Sequence, residues 1–261
     1  MISEVVARIP LHTLEEGSGS LTLIFLHYFG GSAQEWLDVM SQLSDDFRCI
    51  AIDLRGHGDS DSPATGYTVD DMADDILDVV QLNDVEDFVL IGHSMSGKVA
   101  LALASRQPVG LQSLLLISPS PPLPEPIPDD ERQRLLTSHG QRAAAEHTLK
   151  NTTEVPVSRA IREQIIADDL RTGKLAWDSW LLAGSKEDIS DRMAGVKTPI
   201  HIIVGSEDRA LPPAVQPRLT LPYLPAATIE ICWGAGHLLP WEVPHDLANF
   251  IRKKLVLNAS K

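Results

Sequence analysis

The sequence predicts an α/β protein: a mostly parallel central sheet flanked by helices, with a helical cap inserted late in the chain. Three observations predict it. Short apolar segments rich in β-branched residues alternate with longer segments of helical period through residue 118, the pattern of βαβ units around a buried parallel sheet. Between Pro119 and Val196 that alternation stops and helical patterns follow one another without a strand. The length of 261 residues suits one α/β domain carrying an insertion.

Taken in order, the predicted strands are "LTLIFLHY" (21–28), "FRCIAIDL" (47–54), "FVLIGH" (88–93), "LLLIS" (114–118), "PIHIIVG" (199–205) and "TIEICW" (228–233), with an extra strand near Val5 to His12. Two helices are signalled locally as well as by period. Ser32-Ala-Gln-Glu35 and Thr68-Val-Asp-Asp71 both read as capping boxes, in which the first and last side chains satisfy each other's backbone N–H groups. The second helix carries Asp70, Asp71, Asp74, Asp75 and Asp78. Acid in a first turn complements the helix dipole, so this reads as a solvated face, and no metal is assigned to it.

After the proline cluster "SPSPPLPEPIP", the segments "DDERQRLLTSHGQRAAAEHTLK", "SRAIREQIIADDLRTG" and "LAWDSWLLAG" predict two or three helices. The division is therefore a core of residues 1–118 and 196–261 and a helical cap or lid of residues 119–195. Loops at the carboxyl ends of such strands are where ligands bind.

Lys and Arg total 22 against 36 Asp and Glu, a formal charge of −14. An anionic polymer or membrane surface would be repelled, so neither nucleic acid nor membrane is an expected partner. Cys49 and Cys232 each lie within an apolar run, which suits buried thiols rather than a disulfide framework or metal site. With no leader-like opening and no apolar run of membrane-spanning length, the expectation is a soluble, cytoplasmic protein.

The chemistry concentrates in "FVLIGHSMSGKV". A nucleophile on a sharp turn between strand and helix needs small residues two places before and after it, where their Cα atoms pack close to the adjoining backbone. Ser94 has Gly92 and Ser96 at those places, whereas Ser96 would have Ser94 and Lys98. Lysine does not fit, so Ser94 is the candidate, and the turn asks of position 96 only a small side chain. A serine ahead of a helix also reads as a plain N-cap, and local sequence carries both readings.

A serine hydroxyl needs a base, and the base an orienting carboxylate. Of nine histidines, His12, His139, His147, His201 and His245 sit in ordinary surface or strand positions, and His27, His57 and His93 in loop motifs. The strongest base is His237 in "WGAGHLLPWE", on a glycine-flanked loop after the last predicted strand. Glu207 and Asp208 in "IIVGSEDRALPP" end the strand before it, and Ser94, Asp208, His237 is the chain order of an α/β-hydrolase triad.

Five motifs in order, each after a predicted strand, carry a resemblance over nearly the whole length. They are "LHYFGGS", "DLRGHGDSD", "GHSMSG", "VGSEDRALPP" and "GAGHLLPWE". The chain resembles the α/β-hydrolase superfamily, in its serine-nucleophile branch of esterases, lactonases and perhydrolases. The resemblance favours Asp208 over Glu207 as the acid and implies that the backbone N–H groups of Phe29 and Met95 hold an oxyanion. Ser96 stands where glycine is commoner, a variant also found in the small hydrolase-receptors of plant butenolide signalling. Tyr28 stands where the oxyanion loop often has glycine.

The resemblance and the candidate residues together imply a serine hydrolase cleaving a small neutral or apolar carboxylic ester or lactone through an acyl-enzyme, without metal or cofactor. Its expected pocket includes Tyr28, His93, Trp177, Trp180 and Leu238. The alternative is a slow-turnover, hydrolase-like receptor that signals through its cap. Because one scaffold hosts many chemistries, the fold does not choose between them.

Overall fold

The computed structural model describes residues 9–259, with side chains described to residue 255. Seven strands form one sheet: β1 (Thr13–Glu16), β2 (Thr22–Leu26), β3 (Arg48–Ile52), β4 (Phe88–His93), β5 (Leu111–Ile117), β6 (Ile200–Gly205) and β7 (Thr228–Cys232). Their order across the sheet is β1-β3-β2-β4-β5-β6-β7. The edge strand β1 runs antiparallel to β3, and all other pairs are parallel.

The central strands are buried on both faces, so their residues divide by parity between two cores. Ile24, Leu26, Ile50, Ile52 and Leu90 face α2 (Val69–Leu82) and α3 (Met95–Ser105). Leu23, Phe25, Cys49, Ala51 and Ile91 face α1 (Leu37–Leu43) and α9 (Pro244–Ala259). Each such aliphatic side chain contributes about 1.5–3 kcal/mol when fully buried. The chain leaves β2 for β3 on one side and reaches β4 on the other. That reversal opens a crevice at the strands' carboxyl ends, with the loops after Leu26 and His93 side by side.

Between β5 and β6 the described chain has no strand. It forms α4 (Asp129–Ser138), α5 (Arg142–Thr152), α6 (Arg159–Arg171) and α7 (Lys174–Leu182), where two or three helices were expected. The first predicted segment breaks at Gly140, whose φ of 78° is left-handed. Ala145 and Leu149 of α5 and Ile165 and Ile166 of α6 pack with Tyr28 and Leu238, while Trp177, Trp180 and Leu181 of α7 join the main core. The short α8 (Leu239–Glu242) precedes α9. No described helix is long and apolar enough to cross a membrane.

Three local expectations change. The edge strand forms at Thr13–Glu16 rather than near Val5 to His12. Residues 5–8 of that expectation lie outside the described residues, and 9–12 are not strand. At Ser32 there is no capping box: Ser32 caps a 3-10 turn, Ala33–Trp36, by accepting the Gln34 N–H, and Glu35 turns inward. The box at Thr68 does form, closed from both sides by Asp71. The acidic face of α2 is not simply solvated, since Asp75 is buried and paired with Arg55 through contacts of 2.6 and 2.7 Å. Asp70 and Asp74 meet Arg106.

Candidate active site

Ser94 follows β4 and opens α3. Its φ of 53° and ψ of −116° are unusual for a side-chain-bearing residue, a conformation that costs about 1–3 kcal/mol and persists only where the surroundings hold it. Here the Ser94 N–H donates to the Ile117 carbonyl (2.9 Å), and the Ser94 carbonyl accepts from Gly97 (2.8 Å) and Ser120 (2.9 Å). Gly92 makes room for the turn, since a Cβ there would sit 2.6 Å from the Ser96 carbonyl oxygen. Of the two readings of this serine, capping is the one the geometry does not follow. Ser94 makes no side-chain cap bond, and its Oγ lies 2.9 Å from His237 Nε2.

His237 Nδ1 lies 2.7 Å from Asp208 Oδ2, and Asp208 Oδ1 accepts the N–H groups of Ala210 (2.9 Å) and Leu211 (2.8 Å). The acid and base loops meet closely because Gly205 has no Cβ, which would fall 2.0 Å from the Gly236 carbonyl oxygen. Glu207 instead accepts from the Ser206 hydroxyl at the surface. Burial alone would push the His237 imidazole down. Asp208, and at longer range Glu125 and Glu242, overcome it and hold the pKa above the ordinary 6.5.

The N–H groups of Phe29 and Met95 donate to no protein acceptor among the described residues. The hydroxyl of Ser96 does more than fill space: it donates to the carbonyl of His27, tying α3 to the loop that carries Phe29.

Ser94 and His237 open onto a cavity of about 350 Å³, whose wall includes Tyr28, Phe29, Trp177, Trp180 and Leu238. Of the five residues expected there, His93 is the exception. It is fully buried behind the triad, with Nε2 2.9 Å from the His237 carbonyl and Nδ1 3.2 Å from Glu35 Oε1. A carbonyl only accepts, so Nε2 carries the proton and the Nδ1 lone pair faces Glu35. Burial pushes the Glu35 carboxyl well above the usual range and the His93 imidazole well below it. Through Nε2, His93 holds the main chain of the candidate base, and its Nδ1 faces Glu35.

Two further groups escaped the sequence reading. Glu242, inside the histidine motif, accepts four backbone N–H groups: Leu238 (3.0 Å), Gly236 (3.0 Å), Glu154 (2.8 Å) and Val155 (2.8 Å). Two flank His237 and two belong to the turn between α5 and α6, while the His237 N–H itself donates to the Thr152 carbonyl (2.7 Å). Lys98, fully buried on α3, donates to the carbonyls of Leu123 (3.1 Å), Ser185 (3.4 Å) and Glu187 (2.8 Å). It thereby joins both ends of the helical insertion, and burial lowers its pKa to about 8. A lysine amid the apolar run of α3 was the one signal available for it.

Among the described residues, His12, Asp53 and Asp59 converge as metal ligands could. None lines the cavity, and the Asp53 carboxylate is already engaged by the N–H groups of Ala33 and Asp59 and by His12.

The sequence profile described as alpha/beta hydrolase fold matches residues 22–163. The dihydrolipoyllysine-residue acetyltransferase component of the acetoin cleaving system of Cupriavidus necator is 27% identical, over 96% of this chain and 67% of that one. The 2-(acetamidomethylene)succinate hydrolase of Mesorhizobium japonicum is 36% identical, over 44% of this chain and 41% of its own length. Among solved structures, an esterase from Exiguobacterium antarcticum superimposes with a TM-score of 0.85 at 20% identity, covering 94% of this chain and 95% of the other.

Proposed function

The chain belongs to the alpha/beta hydrolase fold family, and from that premise we propose that it is a serine hydrolase acting on small carboxylic esters or lactones through an acyl-enzyme. Family and relatives support a hydrolase activity. The observation that carries the finer reading is the unbroken contact chain from Asp208 through His237 to Ser94, at 2.7 and 2.9 Å, at the wall of a cavity.

In this reading His237 takes the Ser94 proton as Oγ attacks the substrate carbonyl, and Asp208 holds the imidazole tautomer and steadies the imidazolium. The N–H groups of Phe29 and Met95 bind the oxyanion, a contribution worth about 2.7–4 kcal/mol per donor in comparable sites. The imidazolium then protonates the leaving alcohol, and the same histidine activates the water that releases the acid. Residues 119–195 act as the cap that roofs the cavity. The substrate has a largely apolar body, matching Phe29, Ile127, Leu135, Trp177 and Leu181 on the wall. It carries no negative charge, because Glu125, Glu131 and Asp169 line the same wall against a single Arg209.

A fluorophosphonate probe, followed by peptide mapping and a panel of p-nitrophenyl esters and lactones, tests this. The expected result is labelling at Ser94 together with turnover insensitive to EDTA. Activity lost to EDTA and restored by a divalent metal would overturn it. A second reading, a slow-turnover receptor, is favoured by the bonds from the cap to the His237 loop. It predicts a stoichiometric burst of product with negligible steady-state turnover.

A further inference from the structure

The polar groups of the cavity wall are mostly committed to protein partners. Glu131 is held by Arg134 through contacts of 2.6 and 2.7 Å, and Arg209 by Glu154 at 2.7 Å and by the carbonyls of Asn151 and Thr153. The indole N–H of Trp177 donates to the Leu135 carbonyl at 3.1 Å. Two carboxylates differ: Glu125 leaves a buried Oε2 without a hydrogen-bond partner among the described residues, and the second, Asp169, lies on α6. Its half-buried carboxylate lines the cavity yet makes neither hydrogen bond nor ion pair among the described residues. Burial pushes its pKa up to about 6, against the pull of Arg134, so it is ionised at neutral pH.

The ring of Trp177 lies near this carboxylate, across Gly30. A Cβ on Gly30 would lie 3.7 Å from Asp169 Oδ2 and 3.2 Å from the Trp177 ring. The ring centroids of Phe29 and Trp177 are 4.3 Å apart, and Trp180 stands 6.5 Å from Phe29. An unpaired carboxylate beside apolar rings loses solvation without compensation. It also places negative charge next to the residue following Phe29, the candidate oxyanion donor, where charge of the same sign develops during acyl transfer. Both effects are relieved by one kind of ligand. A cation is attracted to the carboxylate first and to an aromatic face second, and here the carboxylate carries the attraction, because Trp177 already packs against both Phe29 and His139 and Trp180 lies under the Lys98 ammonium.

We propose that Asp169, on the cavity wall near Trp177, forms a subsite for a quaternary or tertiary ammonium group carried by an otherwise apolar ester. The proposal rests on the reading of the cavity as the substrate site, and it changes the polar end of the expected substrate from neutral to cationic. The chain's excess of acid, −14 overall, would draw such a substrate in from a distance. Selectivity is assigned to Asp169.

The test compares two esters of nearly the same shape, the butyrates of 2-(trimethylammonio)ethanol and of 3,3-dimethylbutanol. Their binding to the Ser94→Ala protein is read by quenching of tryptophan fluorescence, and their hydrolysis is measured on the unmodified protein. The cationic ester is expected to bind at least tenfold more tightly than the neutral one. Asp169→Asn, or Asp169→Ala should the amide variant not fold, is expected to bring that ratio close to one, through weaker binding of the cationic ester. Equal binding of both esters by the Ser94→Ala protein would overturn the subsite, as would a preference that survives loss of the Asp169 charge. Because binding is read without turnover, the two readings fail separately. Tight, Asp169-dependent binding with neither ester hydrolysed sinks the esterase and keeps the subsite. Hydrolysis of both esters without discrimination does the reverse.

Discussion

Two carboxylates have opposite surroundings, one among the strand-end loops that carry Ser94 and His237, the floor, and one on the helices between β5 and β6, the roof. Glu242, below the histidine loop, is met by four backbone N–H groups, while Asp169, on α6, is met by none among the described residues. A carboxylate that accepts several amide bonds fixes the loops supplying them, and each such bond to a charged group contributes about 1.5–3 kcal/mol. A carboxylate without partners fixes nothing. The difference separates two regions: below, the side chains that hold Ser94 and His237 have protein partners, and above, Asp169 and the Oε2 of Glu125 have none among the described residues.

The largest effect that would sharpen this contrast lies on the floor. Ser94→Ala and His237→Ala are each expected to lower kcat by about 10⁴- to 10⁶-fold, as members of one unit do. Asp208→Asn is expected to cost less, about 10³- to 10⁴-fold, since it misdirects the tautomer without removing the base. Steady-state assays on p-nitrophenyl butyrate check all three. A silent Asp208→Asn beside a crippling Glu207→Gln would reassign the acid.

Next in size is Glu242→Gln. The amide keeps the shape but accepts through only one end, so its NH₂ group faces a backbone N–H. We expect kcat to fall about 10- to 100-fold, about 1.4–2.7 kcal/mol of barrier. A pH profile tells positioning from mere packing. In the unmodified protein kcat/KM is expected to rise with pH as the imidazolium loses its proton, with a midpoint above 6.5 because neighbouring carboxylates favour the charged form. Glu242 is one of those carboxylates, so its neutralisation moves the midpoint to lower pH. Full activity with an unmoved midpoint would mean that the nest around Glu242 only packs the turn between α5 and α6.

The floor was also the more legible region in sequence. Strand β4 was located at 88–93 as it occurs, and Ser94, Asp208 and His237 come together from motifs far apart in the chain. Short motifs suffice there because turns, small residues and strand ends impose local rules. The roles of Glu35, His93 and Glu242 were not legible, because each depends on contacts with distant parts of the chain. Glu35 meets His93 across 58 positions and Glu242 meets Glu154 across 88. The roof was legible only as helices. Its polar wall follows from how α4 to α7 pack, and helical periodicity does not specify which residue of a face meets the cavity.

The smallest expected effect concerns the second serine of the elbow. If position 96 required only a small side chain, Ser96→Ala would keep nearly full activity. The bond from its hydroxyl to the His27 carbonyl argues otherwise. That carbonyl sits two residues before Phe29, so losing the bond frees the loop that presents one of the two candidate oxyanion donors, while Ser94, His237 and Asp208 keep their contacts. The expected result is a fall in kcat of about tenfold, about 1.4 kcal/mol, with KM for p-nitrophenyl butyrate little changed. Ser94 should still be labelled by the fluorophosphonate, which separates a loosened oxyanion loop from a lost elbow. Ser96→Val tests the space at the same position. Added methyl groups in a tight turn cost about 1–3 kcal/mol, so this variant should lose melting temperature as well as rate. An alanine variant with unaltered kcat would return Ser96 to the role of a small residue at a crowded turn, and the floor would then contain one hydrogen bond that catalysis does not use.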